Sequence, residues 1–165
     1  MYKYLFFLFF SYLSAQEPTL ARLQNIYSNE IQEFSIGNYH FYCRPYGVLT
    51  IDNLYKKSAI TSTCKKKIEQ FYIKNKEELF FAQKVFDEGQ LYHMEFKKGQ
   101  CIIYTKGRNT YAEMLLHKGL AIRKPNLQDK VWKNLFYTAQ KEARYNQLGL
   151  WKDEIVKNCL GEIYK

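Results

Sequence analysis

The chain has 165 residues, with 25 Lys and Arg against 16 Asp and Glu, and a formal net charge of +9. That length suits one domain with a real core, and no internal repeat or low-complexity tract interrupts it. The basic charge favours nucleic acid, anionic lipid or an acidic partner without choosing among them.

Met1–Ala15 reads MYKYLFFLFFSYLSA: one Lys, a ten-residue apolar run, then Ser14-Ala15. This is the layout of a secretory signal peptide, and the run is short for a bilayer span, which needs about 20 residues. The expectation is an exported protein, periplasmic or secreted. Cleavage after residue 15 removes Lys3 as the sole charged side chain and takes the net charge from +9 to +8. No later segment is long and apolar enough to cross a membrane.

Residues 16–33 are polar with scattered apolar positions. Ala21, Leu23, Ile26 and Ile31 make no clean face, so a short helix or a loosely held lead-in is expected. From Phe34 to Tyr42 the pattern is strand-like, with a turn at Gly37-Asn38, and Tyr39, Phe41 and Cys43 alternate with His40 and Tyr42. Aromatic side chains at such positions usually fill a core, although they can also stack bases. A second short strand, Gly47–Ile51, ends at Asp52-Asn53-Leu54.

Thr61–Gln90 has helical spacing, with an interruption at Lys74-Asn75-Lys76. Its start carries Lys65-Lys66-Lys67, which oppose the helix dipole and read as a solvated face rather than a phosphate-contacting patch. Leu91–Phe96, a turn at Lys97-Lys98-Gly99 and Gln100–Thr105 make a hairpin. Tyr111–Leu116 is a short helix stopped by Gly119. Leu120-Ala121-Ile122 is an apolar link, and Lys124-Pro125-Asn126 a break. A second helix starts near Gln128-Asp129 with Val131, Leu135, Phe136, Ala139 and Ala143 on its apolar face. Gly149 and Trp151 close it. Lys152–Lys165 is a charged tail, peripheral unless Cys159 ties it down.

Cys43, Cys64, Cys101 and Cys159 are an even set in a chain expected to be exported, so disulfides are expected, with three pairings open. The spacing is not that of a zinc site, whose paired ligands lie close in sequence.

Ala112-Glu113-x-Leu115-Leu116-x-x-Gly119-Leu120-Ala121, Lys124-Pro125-Asn126, Ala139-Gln140-x-x-Ala143 and Leu148-Gly149-Leu150-Trp151 agree in order and spacing with the C-terminal half of another group of proteins, and Lys84–Gln100 adds an upstream match. On these residues, about half the chain, the sequence resembles the thermonuclease (staphylococcal nuclease-like) family. The resemblance implies an α+β fold: a small five-stranded OB-type barrel packed by about three helices, covering 34–151.

That family hydrolyses phosphodiesters with carboxylates holding a divalent cation and with two arginines, which meet the charge growing on the phosphate. Matched residue by residue, this chain departs from the pattern. Asn38 stands where the D-G-D turn has a metal-binding aspartate. Asp52 matches a second metal carboxylate, but Tyr55 stands where a glutamate belongs. Gly47 matches the first arginine, with Arg44 three residues earlier. The loop carrying the second arginine is shortened away, and Arg108 lies in the following turn. Asp52 and Arg44 are therefore the site candidates, with Asp52 as the metal candidate. Asp52 also suits a plain strand-end turn residue. Two functions are carried forward. One is an exported thermonuclease-like domain that has lost hydrolysis and binds nucleic acid or an envelope protein. The alternative is a divergent secreted nuclease using Ca²⁺ or Mg²⁺ held by Asp52 and Glu33 beside Arg44.

Overall fold

The computed structural model describes residues 18–56, 61–105, 107, 109–152, 155–156 and 159. Residues 1–15, expected to be a signal peptide, and Arg108 lie outside the described residues, as does most of the tail.

The centre of the sheet is the segment that the sequence left as a lead-in. Thr19–Ile26 forms strand β1, which pairs antiparallel with β2 (Gln32–Ile36) on one side and β5 (Leu91–Lys97) on the other. Ala21 and Leu23 point into the core. The register then shifts between Leu23 and Asn25, so Ile26, not Asn25, comes opposite the buried Gln32. A bulge of this kind breaks the two-residue period, which is why alternation was not visible over the whole strand.

The five-stranded sheet runs β3-β2-β1-β5-β6, where β3 is Tyr39–Cys43 and β6 is Gln100–Ile103. The hairpin joining β2 and β3 turns at Gly37-Asn38, as expected. The sheet curls into a half-barrel. Its two edge strands meet where Pro45 bridges Cys101: Cys101 N–H donates to the Arg44 carbonyl at 2.9 Å and Tyr46 N–H to the Cys101 carbonyl at 2.9 Å. The Cys43–Cys101 disulfide fixes the same junction. Inside the curl, Phe34 meets Tyr92 edge-on and Phe86 meets Tyr92 likewise. Phe41 is only half-buried, against Phe34 and Phe96, and Tyr39, expected in the core, is 70% exposed. It lies next to the hairpin turn, beyond the covered part of the sheet.

Six α-helices lie among the described residues. Strand β4 (Val48–Thr50) leads directly into α1 (Ile51–Lys56), so Asp52-Asn53-Leu54 is a helical turn rather than a strand end. The long helical region divides, at the expected interruption, into α2 (Ser62–Lys74), α3 (Lys76–Leu79) and α4 (Phe81–Val85). Helix α5 (Tyr111–His117) begins with a capping box: the Thr110 hydroxyl accepts from the Glu113 N–H and the Glu113 carboxylate accepts from the Thr110 N–H. The apolar link after it is a strand, β7 (Ala121–Arg123), paired antiparallel with β4 in a separate two-stranded sheet.

Helix α6 (Lys130–Tyr145) starts close to the expected Gln128-Asp129, and Asp129 caps it, its carboxylate accepting from the Val131 and Trp132 N–H groups. Its buried face is Phe136, Ala139 and Ala143, with Trp132 packed on Phe136. Val131 and Leu135, expected on that face, are exposed. The chain then turns into a 3-10 segment, Gly149–Trp151, at a very close backbone crossing. Leu150 N–H donates to the Gly119 carbonyl at 2.8 Å, and a Cβ on Gly119 would sit 2.1 Å from the Leu148 carbonyl oxygen. Only glycine permits that approach, at φ +67° for Gly119 and +52° for Gly149. Beyond it, buried Ile155 and the Cys64–Cys159 disulfide tie the tail to α2.

Candidate functional site around Asp52 and Glu30

The loop between β1 and β2, Tyr27–Ile31, is built by its own hydrogen bonds. Tyr27 N–H donates to the Ile31 carbonyl, and the Ser28 hydroxyl accepts from the Glu30 and Ile31 N–H groups. Asn29 sits at its apex, almost fully buried. Its side chain donates to the Glu78 carbonyl and accepts from the Ala82 N–H, and its carbonyl accepts from the Tyr111 hydroxyl. One asparagine thereby ties the loop to α3, α4 and α5.

This loop lies beside the start of α1. Asp52 accepts the Asn29 N–H on Oδ2 at 3.1 Å and the Tyr72 hydroxyl on Oδ1 at 2.8 Å. Both of its oxygens are thus engaged inside the protein. Burial pushes the Asp52 carboxyl above its ordinary value, and the Tyr72 hydrogen bond and the Lys56 charge offset that only in part. Burial, together with the Asp52 carboxylate, likewise holds the Tyr72 hydroxyl firmly protonated.

Glu30 is the second carboxylate of the site. It is buried, and Asn53 donates to its Oε1 at 2.6 Å. Arg44 Nε lies 3.3 Å from the same oxygen, and Lys56 Nζ lies 3.9 Å from Oε2. Arg44, Asn53 and Glu30 share a small cleft of about 70 Å³ with Gln100 and Lys124. Lys124 donates to Gln100, which donates in turn to the Pro45 carbonyl. On the other side of Asp52 opens a larger, mainly apolar groove of about 450 Å³, walled by Tyr55, Ile68, Tyr72, Ile73 and Leu79.

The two sequence candidates are therefore neighbours of one residue that the sequence did not single out: Arg44 pairs with Glu30, and Glu30 acts electrostatically on Asp52. Glu33 takes no part. It alternates onto the other face of β2, where its carboxylate accepts from Asn25 and Tyr27 and pairs with His40. Those bonds, Asn25 foremost, hold the Glu33 carboxyl below its ordinary value, and push the Tyr27 hydroxyl up to about 12. Asn38 belongs to the β2–β3 turn; the loop that meets Asp52 is Ser28-Asn29-Glu30. Tyr55 turns to α2 and donates to Glu69 at 2.5 Å. No arginine side chain fits at Gly47. Its φ is +71°, and a Cβ there would already stand 3.0 Å from the Phe136 ring.

Among the described residues no group of three or more His, Cys, Asp and Glu could hold a metal ion. Glu30 and Asp52 form a pair, and both are committed. A hard cation at Glu30 would meet the positive charges of Arg44 and Lys56, and at Asp52 it would share a carboxylate that already accepts from Tyr72 and the Asn29 N–H. The present donor set does not fit Ca²⁺ or Mg²⁺. The local sign in the sequence was Ser28-Asn29-Glu30, a turn-forming pair followed by an acid; what hid it was the missed strand before it.

No protein-family model matches this chain, and no curated protein matches it.

Proposed function

We propose that the chain is a thermonuclease-like, OB-barrel-type domain that binds nucleic acid without hydrolysing it. The observation that carries this reading is the hydrogen bonding of Asp52. A hard cation needs several oxygen ligands, and here the two neighbouring carboxylates are each already engaged, Asp52 by Tyr72 and the Asn29 N–H and Glu30 by Arg44. The cluster works as a structural clasp. Arg44 and Lys124 at the cleft, with the net charge of +8 left when residues 1–15 and Lys3 are taken from the +9 of the whole chain, suit a phosphate backbone. Exposed Tyr27, Tyr39 and Tyr42 supply faces on which bases can stack. Two disulfides fit an oxidising compartment, in keeping with export. No described helix is long and apolar enough to cross a membrane.

The test is a nuclease and binding assay on the oxidised chain with single- and double-stranded DNA and RNA, in Ca²⁺, Mg²⁺ or chelator, beside Asp52→Ala. The expected result is no cutting, with binding that weakens steeply as salt rises. Metal-dependent cutting that vanishes in Asp52→Ala would overturn it. That outcome would favour the second reading, a divergent nuclease whose carboxylates are Asp52 and Glu30 rather than Asp52 and Glu33, for which the contact of Glu30 with Arg44 speaks.

A further inference from the structure

Helix α6 buries one face and turns the other to solvent. With about 100° between successive residues, Phe136, Ala139 and Ala143 point into the core, while Lys130, Asn134, Tyr137, Lys141 and Tyr145 fall within about 40° of one line on the opposite side. All five are exposed, Tyr137 by 56% and Tyr145 by 88%, and exposed Lys133 flanks Tyr137 one turn earlier. The ridge they make is about 22 Å long.

Among the described residues, the side chains of Lys130, Lys133 and Lys141 make no hydrogen bond or ion pair, and Tyr137 and Tyr145 neither bond nor stack. The one acid within the helix, Glu142, lies on the flank towards α5 and pairs with His117 at 2.9 Å. Asp129, the cap, is engaged by Lys97. The helix is held in place by its buried face and by Gln140, which accepts the Arg123 N–H at 2.8 Å. A solvated helix face accounts for the lysines. It does not account for two tyrosines set between them, since rings left in water contribute no apolar burial to the fold.

We infer that this ridge is the track on which the domain holds a single-stranded nucleic acid, with phosphates on Lys130, Lys133 and Lys141 and unstacked bases on the Tyr137 and Tyr145 rings. The inference rests on the nucleic-acid-binding reading above and places the main contact on α6 rather than at the Asp52 cleft. A single strand offers what the ridge lacks: a negative charge at each nucleotide and a flat base beside it. A duplex presents the phosphates but keeps its bases stacked inside, which leaves the rings unused. An anionic membrane would be met by aliphatic side chains on the ridge. The exposed aliphatics of α6, Val131 and Leu135, lie about 80° and 120° round the helix from it. At 3.4 Å or more per nucleotide, the ridge takes at most about six.

Fluorescence anisotropy on the oxidised chain tests it across a salt series, with a labelled single-stranded thymidine 12-mer and a duplex of the same length. Sedimentation with phosphatidylglycerol–phosphatidylcholine vesicles runs beside it. The variants are Lys133→Gln/Lys141→Gln, Tyr137→Ala/Tyr145→Ala and, in the Asp52 cleft, Arg44→Gln. The four α6 positions are exposed, and thermal unfolding checks that each variant stays folded. The lysine variant is expected to bind the strand at least about tenfold more weakly, with the slope of log affinity against log salt reduced by about 1.4. The tyrosine variant should weaken it at least about fivefold with the slope unchanged. The wild type should prefer the strand to the duplex. Strand binding kept in both α6 variants but lost in Arg44→Gln assigns the contact to the Asp52 cleft; it overturns this inference and leaves the binding reading standing. No binding of any nucleic acid by the wild type overturns both. Duplex bound as tightly as the strand, with the tyrosine variant unchanged, overturns the single-strand track. Vesicle binding that the α6 variants abolish while strand binding persists gives the ridge to a membrane and overturns it as well.

Discussion

Asp52 shows how one side chain can look catalytic in sequence and act as a clasp in the fold. Its match to a metal carboxylate in the thermonuclease resemblance made it a candidate ligand. Its neighbours, Asn29 and Tyr72, come from segments 23 and 20 residues away and occupy both oxygens. Removing the carboxylate leaves a backbone N–H and a hydroxyl without acceptors. Asp52→Ala is therefore expected to lower stability by about 2 kcal/mol, read from urea unfolding. The pH dependence has a definite sign. A carboxyl raised in the folded state stabilises most when protonated, below its unfolded value of about 3.9, and that contribution is lost as pH rises through the folded value. The stability of the wild type relative to Asp52→Asn should thus fall as pH rises above about 4. A difference that rises over that range would contradict the burial argument.

At the level of elements, the ends of α6 carry the clearest consequences. Asp129 caps two N–H groups and pairs with Lys97 at 2.5 Å, and that Lys97 hydrogen bond holds its carboxyl below the ordinary value. Here the sign is opposite to that of Asp52: the stabilisation is present above the unfolded value of about 3.9 and lost as pH falls through the lowered folded one. Asp129→Ala is expected to lose about 1 kcal/mol at neutral pH and progressively less in acid, by thermal or urea unfolding. At the other end, Gly149→Ala would drive a Cβ to 2.3 Å from the Gly119 carbonyl oxygen. Backbone faces backbone at this crossing, so no side chain can yield. A loss of about 3 kcal/mol is expected, and a neutral outcome in a melting experiment would mean the crossing is looser than described.

On the scale of the whole molecule, the two disulfides close different things. Cys43–Cys101, 58 residues apart, joins the two edges of the curled sheet; Cys64–Cys159, 95 apart, fastens the tail to α2. The chain-entropy model gives about 4 kcal/mol for the first and about 5 kcal/mol for the second. Their structural effects should differ. Cys43→Ala/Cys101→Ala is expected to raise amide exchange in β3 and β6, where a single bridge joins the edges. Cys64→Ala/Cys159→Ala should raise it at the start of α2 and after Gly149. Exchange patterns that coincide for the two variants would show that one cooperative unit responds to both.

The features legible in the sequence were local ones. Gly37-Asn38 made a turn because two residues suffice for it, Asp129 marked a helix start because a carboxylate suits the positive end of the helix dipole, where it bonds the Val131 and Trp132 N–H groups, and the hairpin at Lys97–Gly99 followed from short-range alternation. The even number of cysteines in a chain with an apolar leader pointed to disulfides for a chemical reason that needs no coordinates. Contacts across distance were decided only by the tertiary structure. β1 is central because β2 and β5 both pair with it, although its bulge blurred the alternation that would have announced it. β7 is a strand only because β4 lies beside it, more than seventy residues earlier. Glu30 became the centre of the site because a loop before β2 meets α1 and the end of β3, a meeting that no spacing in the sequence encodes. Turns and helix caps follow from neighbours in the chain, strands from the partners that pair with them. The site follows from neighbours in space, and burial then decides which carboxylate is free to react.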